Sequence, residues 1–400
     1  MPSNSRPTIV DLFCGCGGFG LGAELAGFQT VAAVDIDKDL QAAYRLNFPE
    51  TKALQADISN LTKETWAFSL GDLRPDGVIG GPPCQGFSRI GRRQKDDPRN
   101  SLIAHFFRQV AVLQPKFFVM ENVEGLLDDG NLENLEAALA TVSGQYQIVG
   151  PMVVNAAHFG AATVRKRVVV VGFDPNEISS LCESDFQPEH SIPTSVRDAI
   201  GDLPGPSVQQ QGEYVWSRYP VLDMMAPSVS AYARHMREVP PPHLGWSTAV
   251  DRLAHGEASG FAETIHTRVV TERFGGTPPG RVEEVSRYPR LHWEGLCPTL
   301  RAGTGRDRGS FQAMRPIHPA EPRVITVREA ARLQGFPDWF TFSPAKWHSF
   351  RMIGNSVSPI VAKHLLDAIK PRLSLDDSQT QVVAAEDRSS RRAHPRRRNR

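Results

Sequence analysis

Short apolar runs alternate with amphipathic stretches from the N-terminus to about Asp174, and this rhythm constrains the fold more than any other feature of the chain. Ile9-Val10-Asp11-Leu12-Phe13 reads as a buried strand feeding a glycine turn and a helix that runs through about Ala26. Val31 to Asp35 is the next strand, followed by a helical stretch from Lys38 to Leu46. Gly77-Val78-Ile79, Phe117–Met120 and Val168–Val171 are further strands, with helices near Ile103–Leu113 and Leu132–Val142. Strand and helix in alternation imply a mostly parallel sheet with helices on both faces, an α/β fold of Rossmann type.

The rhythm breaks after about Asp174. From there to about Pro322 the text is rich in Pro, Gly, Arg and His, as in Val239-Pro240-Pro241-Pro242-His243, and shows neither βαβ units nor repeats. A smaller, irregular lobe is the expected result. Helical periodicity returns at Val327–Leu333 and Val361–Ile369. Beyond about Pro371 the chain turns polar and then arginine-rich, a composition that cannot build a packed core. The expected layout is therefore a first sheet-forming part over 1–174, the irregular lobe over 175–322, a return segment over 323–370 and a disordered tail over 371–400.

Composition narrows the function classes. An apolar content of 40% with 22% charged residues describes an ordinary globular protein. No apolar run approaches the roughly 18 residues needed to cross a bilayer. Met1 to Pro7 holds no signal-peptide core, so a cytoplasmic setting is expected. Five scattered cysteines are too few for a disulfide framework, and the Cys14-Gly15-Cys16 spacing does not suit a zinc knuckle, so no metal is expected. The net charge of +1 hides a tail that holds seven arginines between Arg388 and Arg400. Such a tail can bind phosphates without sequence preference or serve as a flexible, solubilising end.

Asp11-Leu12-Phe13-Cys14-Gly15-Cys16-Gly17-Gly18-Phe19-Gly20 carries the first functional signal. Glycines let a backbone turn sharply and approach a ligand without Cβ clashes. Asp35 follows at a strand end, where a carboxylate accepts ribose hydroxyl bonds, and Asp57-Ile58 is placed to receive an adenine amino group. Phe13 suits a cationic sulfonium through its ring face, although a core phenylalanine would look the same. Read literally, Gly15-x-Gly17-x-x-Gly20 also satisfies the dinucleotide fingerprint, so an NAD or FAD oxidoreductase competes.

The segment Gly80-Gly81-Pro82-Pro83-Cys84-Gln85-Gly86-Phe87-Ser88 is the most informative. It follows a strand at the sheet edge where ligands bind, and two prolines fix the backbone before the thiol. Its surroundings offer almost nothing apolar to pack a structural cysteine, which makes Cys84 a candidate nucleophile. Phe117–Met120 sends a buried strand into Glu121, a candidate proton donor or hydrogen-bond partner, or else a simple helix cap. Thr163-Val164-Arg165-Lys166-Arg167 offers cations at the same edge, or a solvated basic turn.

In this order these motifs closely resemble the DNA cytosine-C5 methyltransferase family, up to about Leu366. The likeness continues in Arg328-Glu329-Ala330-Ala331-Arg332-Leu333-Gln334-Gly335-Phe336-Pro337 and Gly354-Asn355-Ser356-Val357-Ser358-Pro359. The resemblance implies that S-adenosylmethionine is the methyl donor and double-stranded DNA the substrate, with the cytosine flipped out of the stack. It assigns Cys84 to attack on C6, Glu121 to the exocyclic amine and N3, and Arg165 and Arg167 to assistance at the base. It places Phe13, Gly15, Gly17, Gly18, Asp35, Ile36, Asp57, Ile58, Pro82, Leu102, Asn355, Ser356 and Val357 around the cofactor. The irregular lobe becomes the target-recognition domain, with Gln85, Ser88, Arg268, Arg273, Thr299 and Arg301 as DNA-contact candidates. The product would be 5-methylcytosine, made by a monomer associated with the nucleoid, either beside a cognate restriction endonuclease in a restriction–modification system or acting alone.

The sequence departs from the family pattern at two places. Thr163 stands where glutamine is usual, and Asp35 replaces a more usual, longer glutamate. The segment from Arg323 to Pro337 reads as an amphipathic helix whose arginines order the recognition lobe or reach phosphates. A cytosine methyltransferase acting on tRNA would share the catalytic motifs, but that branch carries Cys-Phe-Thr, a tripeptide absent here. A non-catalytic DNA-binding relative would not need nucleophile, acid and cofactor motifs all intact.

Overall fold

The computed structural model describes residues 6–83, 101–188, 194–210, 212–302 and 314–373. Apolar runs at the expected places pair into one seven-stranded sheet: β1 (Thr8–Leu12), β2 (Gln29–Asp35), β3 (Lys52–Gln55), β4 (Gly77–Gly80), β5 (Phe117–Asn122), β6 (Gln147–Asn155) and β8 (Lys166–Phe173). Their order is β3-β2-β1-β4-β5-β8-β6. The first five run parallel, and β8 is antiparallel to both β5 and β6. The expected α/β class with a mostly parallel sheet is what the chain adopts.

Helices cover both faces. On one side, α1 (Gly18–Leu25) and α12 (Pro359–Ile369) pack Phe19, Ala23, Val361 and Leu365 against Ile79, Phe117 and Val119. On the other, α3 (Lys63–Leu70), α4 (Ser101–Leu113) and α5 (Asn131–Ala140) contribute Trp66, Phe106, Phe107 and Leu135 to a cluster with Val78, Phe118 and Met120. A strand buried on both faces must be apolar throughout, which is why Val168 to Val171 are all fully buried. The last helix comes from the far end of the chain, and Gly22 is what lets it close on α1. A Cβ at Gly22 would collide with Ala362 and the Lys363 backbone.

Two strands of this sheet have no counterpart among the strands expected from the sequence. β3 is a four-residue edge strand that is nowhere fully buried. β6 is interrupted by Gly150-Pro151, where its register against β8 shifts.

The middle of the chain forms short elements: α6 (Val196–Ile200), β9 (Trp216–Arg218), α7 (Ala231–Met236), α8 (Ser247–Ala254), β10 (Glu257–Ser259), α9 (Arg268–Gly276) and β11 (Cys297–Pro298). β9 and β10 pair antiparallel, and β11 runs parallel to β7 (Thr163–Val164). Val196, Leu253 and Phe261 share one buried cluster with Tyr44 of α2 (Lys38–Asn47), with its C-cap residue Phe48 and with Leu333, Phe336 and Phe340. The middle segment is thus built onto the sheet domain's own core, apart from a small cluster of Phe274, Ile317 and Val324.

α10 (Val327–Gln334) starts in a capping box between Thr326 and Glu329 and stops at Gly335, whose φ of +94° ends the helix. Its arginines correct one expectation. Arg328 and Arg332 are 1% and 0% exposed, so neither reaches a phosphate. Arg332 binds Asp338 through two 2.6 Å bonds, Asp202 at 3.2 Å and the Ala199 carbonyl at 3.0 Å. Arg328 donates to the carbonyls of Ser259, Pro337 and Phe340. These bonds bind the middle segment to the return segment. No helix among the described residues is long and apolar enough to cross a membrane.

Candidate active site

Five parallel strands end along one edge of the sheet, and most of the residues singled out in the sequence collect there. After β1 the chain passes through Phe13, Gly15 and Gly17 at φ of 55°, 57° and 100°. Left-handed backbone at three of five positions needs glycine or an outside constraint. Asp35 supplies part of that constraint at the end of β2. Its two oxygens accept from the amides of Gly15 at 3.0 Å and Asp37 at 2.9 Å. Burial pushes its carboxyl up, against the pull of those two amides. The short Asp35 therefore anchors the glycine turn, a role that its place in the sequence did not disclose.

Ile36 is 65% exposed beside Asp35, an apolar side chain left uncovered at a strand end. Asp57 accepts from Ser59 N at 2.9 Å, and its hydrogen bonds to Ser59 hold its carboxyl below the usual range. Ile58 is 3% exposed, with its side chain in the core. Leu102 is half-buried in the first turn of α4. From the far end of the chain, Ser356 and Val357 lie against the start of α1: a Cβ at Gly18 would collide with Ser356 Oγ and the Val357 carbonyl. Asn355, the last residue of α11 (Lys346–Asn355), is exposed. Cys14 and Cys16 are buried in the turn, and burial pushes the Cys16 thiol up to about 12, so it is no nucleophile at neutral pH.

Cys84, Gln85 and Ser88 lie outside the described residues. The segment leading to them is described as far as Pro83, and its position is informative. Asn122 Nδ2 donates to the Pro82 carbonyl at 3.1 Å, fastening the start of the cysteine-bearing segment to the end of β5. A Cβ placed on Gly81 would lie 3.2 Å from Glu121 Oε2 and 4.0 Å from Val357 Cγ2. Glu121, the backbone leading to Cys84 and Val357 of the return segment therefore meet at one point. The sequence alone assigns Asn122 no role; its only signal there is its place after Glu121.

Glu121 is 8% exposed, and Arg167 Nε lies 2.8 Å from its Oε1, an ion-pair distance without the alignment of a hydrogen bond. Arg165 has main-chain partners of its own. Its guanidinium donates to the carbonyls of Leu300 at 3.3 Å, Gly354 at 3.1 Å and Ser356 at 2.7 Å. Of the two cations expected at the base, the structure sets Arg167 against Glu121 and binds Arg165 to main-chain oxygens. Thr163, in the place of the usual glutamine, is fully buried and donates to the Cys297 carbonyl at 3.0 Å.

The remaining DNA-contact candidates fall on separate elements. Arg268 on α9 is exposed and pairs with Glu272 at 2.8 Å, and Arg273 lies 3.7 Å from Glu283. Thr299 and Arg301 follow β11, with Thr299 Oγ1 donating to the Val164 carbonyl at 2.6 Å.

Known proteins share both this architecture and its sequence. A family model described as C-5 cytosine-specific DNA methylase matches residues 7–371. The chain is 42% identical over 365 residues to the Type II methyltransferase M.XorII of Xanthomonas oryzae pv. oryzae, covering 90% of this chain and 83% of that protein. It is 32% identical over 396 residues to the Type II methyltransferase M.DdeI of Desulfomicrobium norvegicum, covering 90% and 88%. Among solved structures, one described as a DNA modification methyltransferase encoded within a prophage (E. coli) matches with a TM-score of 0.82 at 38% identity, over 92% of this chain and 99% of that one. S. pombe Dnmt2, at 17% identity and a TM-score of 0.57, shares the fold. A match running from before β1 to beyond α12, through both halves of the sheet domain and everything between them, places the chain in the C-5 cytosine-specific DNA methylase family.

Proposed function

We propose that this enzyme transfers a methyl group from S-adenosylmethionine to C5 of cytosine within a specific sequence of double-stranded DNA. The observation that carries the reading is the meeting of Glu121, Gly81 and Val357, which sets the acid, the approach to the nucleophile and the cofactor-side segment side by side.

The residues present fit the donor. Gly15 leaves open space where a Cβ would stand, the exposed Ile36 offers an apolar floor for a purine, and Asp57 offers a carboxylate. Asp35 would contribute through the turn that it holds. Phe13, Gly17, Gly18, Pro82, Leu102, Asn355, Ser356 and Val357 would complete the pocket, with Ile58 contributing only main chain. When bound, S-adenosylmethionine supplies an electrophilic methyl group that leaves its sulfur without the bonding electrons.

The protein's part begins with the base out of the duplex, because C5 and C6 are shielded within the stack. Cys84, as thiolate, forms a bond to C6, and the C5=C6 electron pair moves toward C5. Glu121 holds the exocyclic amine and directs a proton to N3, making C6 more electrophilic. Arg167 keeps the Glu121 carboxylate in place. With the methyl group on C5, the C5 proton leaves; its bonding electrons restore the double bond, and Cys84 departs as thiolate. Gln85 and Ser88, with Arg268, Arg273, Thr299 and Arg301, are the proposed DNA contacts. The enzyme would act as a monomer on chromosomal DNA in the cytoplasm, protecting sites that a cognate restriction endonuclease cuts.

Duplex DNA carrying 5-fluorocytosine tests this chemistry. Fluorine cannot leave C5 as the proton does, so the Cys84–C6 bond should persist as a denaturant-resistant complex. Cys84→Ala should form no such complex while still binding the cofactor in calorimetry. A complex that forms equally well with Cys84→Ala would refute the assignment of the nucleophile.

A further inference from the structure

Arg165 is 2% exposed, and its three described acceptors are main-chain oxygens from distant parts of the chain. Leu300 is 135 residues away, Gly354 is 189 and Ser356 is 191. Two of these oxygens close a helix. Gly354 is the penultimate residue of α11, and Ser356 is its C-cap. The last carbonyls of a helix lack intrahelical partners and carry the negative end of its dipole, so a buried cation there both satisfies and attracts them. A guanidinium presents five donors in a rigid planar fork; an ammonium on a flexible stem cannot span the same oxygens.

The chain just past this cap reaches the pocket. Ser356 and Val357 rest against the start of α1, and Val357 extends to the space beside Gly81 and Glu121. Gln334 adds a second tether, donating to the same Ser356 carbonyl at 3.1 Å. Two residues further along Arg165's own strand path, Arg167 pairs with Glu121. One five-residue stretch thus serves two sites: Arg167 serves the base-side acid, and Arg165 serves the wall of the cofactor pocket.

We infer that Arg165 is a positioning residue for cofactor binding, acting through the C-terminal carbonyls of α11, and not a residue that touches the cytosine. The inference rests on the reading that residues 355–357 line an S-adenosylmethionine site. Arg165→Lys keeps the charge and loses the fork. Its dissociation constant for S-adenosylmethionine, measured by calorimetry, should rise about tenfold or more, a loss of the order of one or two charge-assisted bonds. Affinity for duplex DNA without cofactor should stay within about twofold to threefold, and kcat at saturating cofactor should remain close to that of the parent. Arg167→Lys should do the reverse, lowering kcat with the cofactor constant kept. A general loosening of the fold would move DNA and cofactor binding together, so this split separates positioning from mere stability.

An unchanged cofactor constant with a fallen kcat would overturn the inference and return Arg165 to the base. If Arg165→Lys does not melt cooperatively, Gln334→Met reads the same segment by removing the second tether. Weakened cofactor binding there supports the inference, and parental binding overturns it. Failure of the unsubstituted protein to bind S-adenosylmethionine would instead remove the donor assignment, and this inference with it.

Discussion

Glu121 owes its position to β5. Four fully buried apolar residues run from Phe117 to Met120, and the next side chain emerges beside the approach to Cys84. Glu121→Gln preserves shape but cannot deliver a proton to N3 and leaves Arg167 without its counter-charge. A loss of roughly 10²- to 10⁴-fold in turnover is expected, with DNA affinity largely kept. Near-normal turnover in a methyl-transfer assay would mean that another group acts at N3. Glu121 was legible because a carboxylate at the end of an apolar run stands out. The division between Arg165 and Arg167 was not, because the described acceptors of Arg165 are carbonyl oxygens with no side-chain signature. Asp35 read as a ribose acceptor, and its bonds to the amides of Gly15 and Asp37 are a further role with no local signature.

At the scale of elements, α10 shows where patterning misleads. Its period was readable, but arginines at Arg328 and Arg332 read as a polar face, and both are buried against Asp202 and Asp338. Burial alone would push the Asp338 and Glu329 carboxyls up; Arg332 and Arg323 respectively outweigh it and hold both below the usual range. A folded-state value below the unfolded one gives stability that is present above about pH 4 and lost as pH falls through the folded value. Melting temperature should therefore fall on acidification below about pH 4. Asp338→Asn, which leaves Arg332 partly unpaired in the core, should cost about 3–5 kcal/mol at neutral pH and flatten that acid dependence. Denaturant titrations at pH 7 and at about pH 3 check both statements, and an Asn variant as stable as its parent at pH 7 would contradict them. β6 escaped notice for a different reason: Gly150-Pro151 interrupts its alternation.

For the whole molecule, the fold class was readable because most of the part up to Asp174 alternates strand with helix, a rhythm that a covered, mostly parallel sheet satisfies. The middle segment obeys no such rule. Its short elements take their places from shared burial with α2 and the return segment, and from the buried ion pairs of Arg332 and Arg237 with Asp202. Long-range contacts of that kind leave no local period in a sequence. The return of α12 onto α1 came into view through family resemblance, since local pattern shows only that a helix exists there. The arginine-rich end beyond residue 373 lies outside the described residues. One experiment bears on the whole account: incubation with S-adenosylmethionine labelled in its methyl group and unmethylated double-stranded DNA, followed by base-resolution mapping. Label is expected at C5 of cytosine within one short recurring sequence context. Label on RNA alone, or none on DNA from folded protein that binds the cofactor, would contradict it.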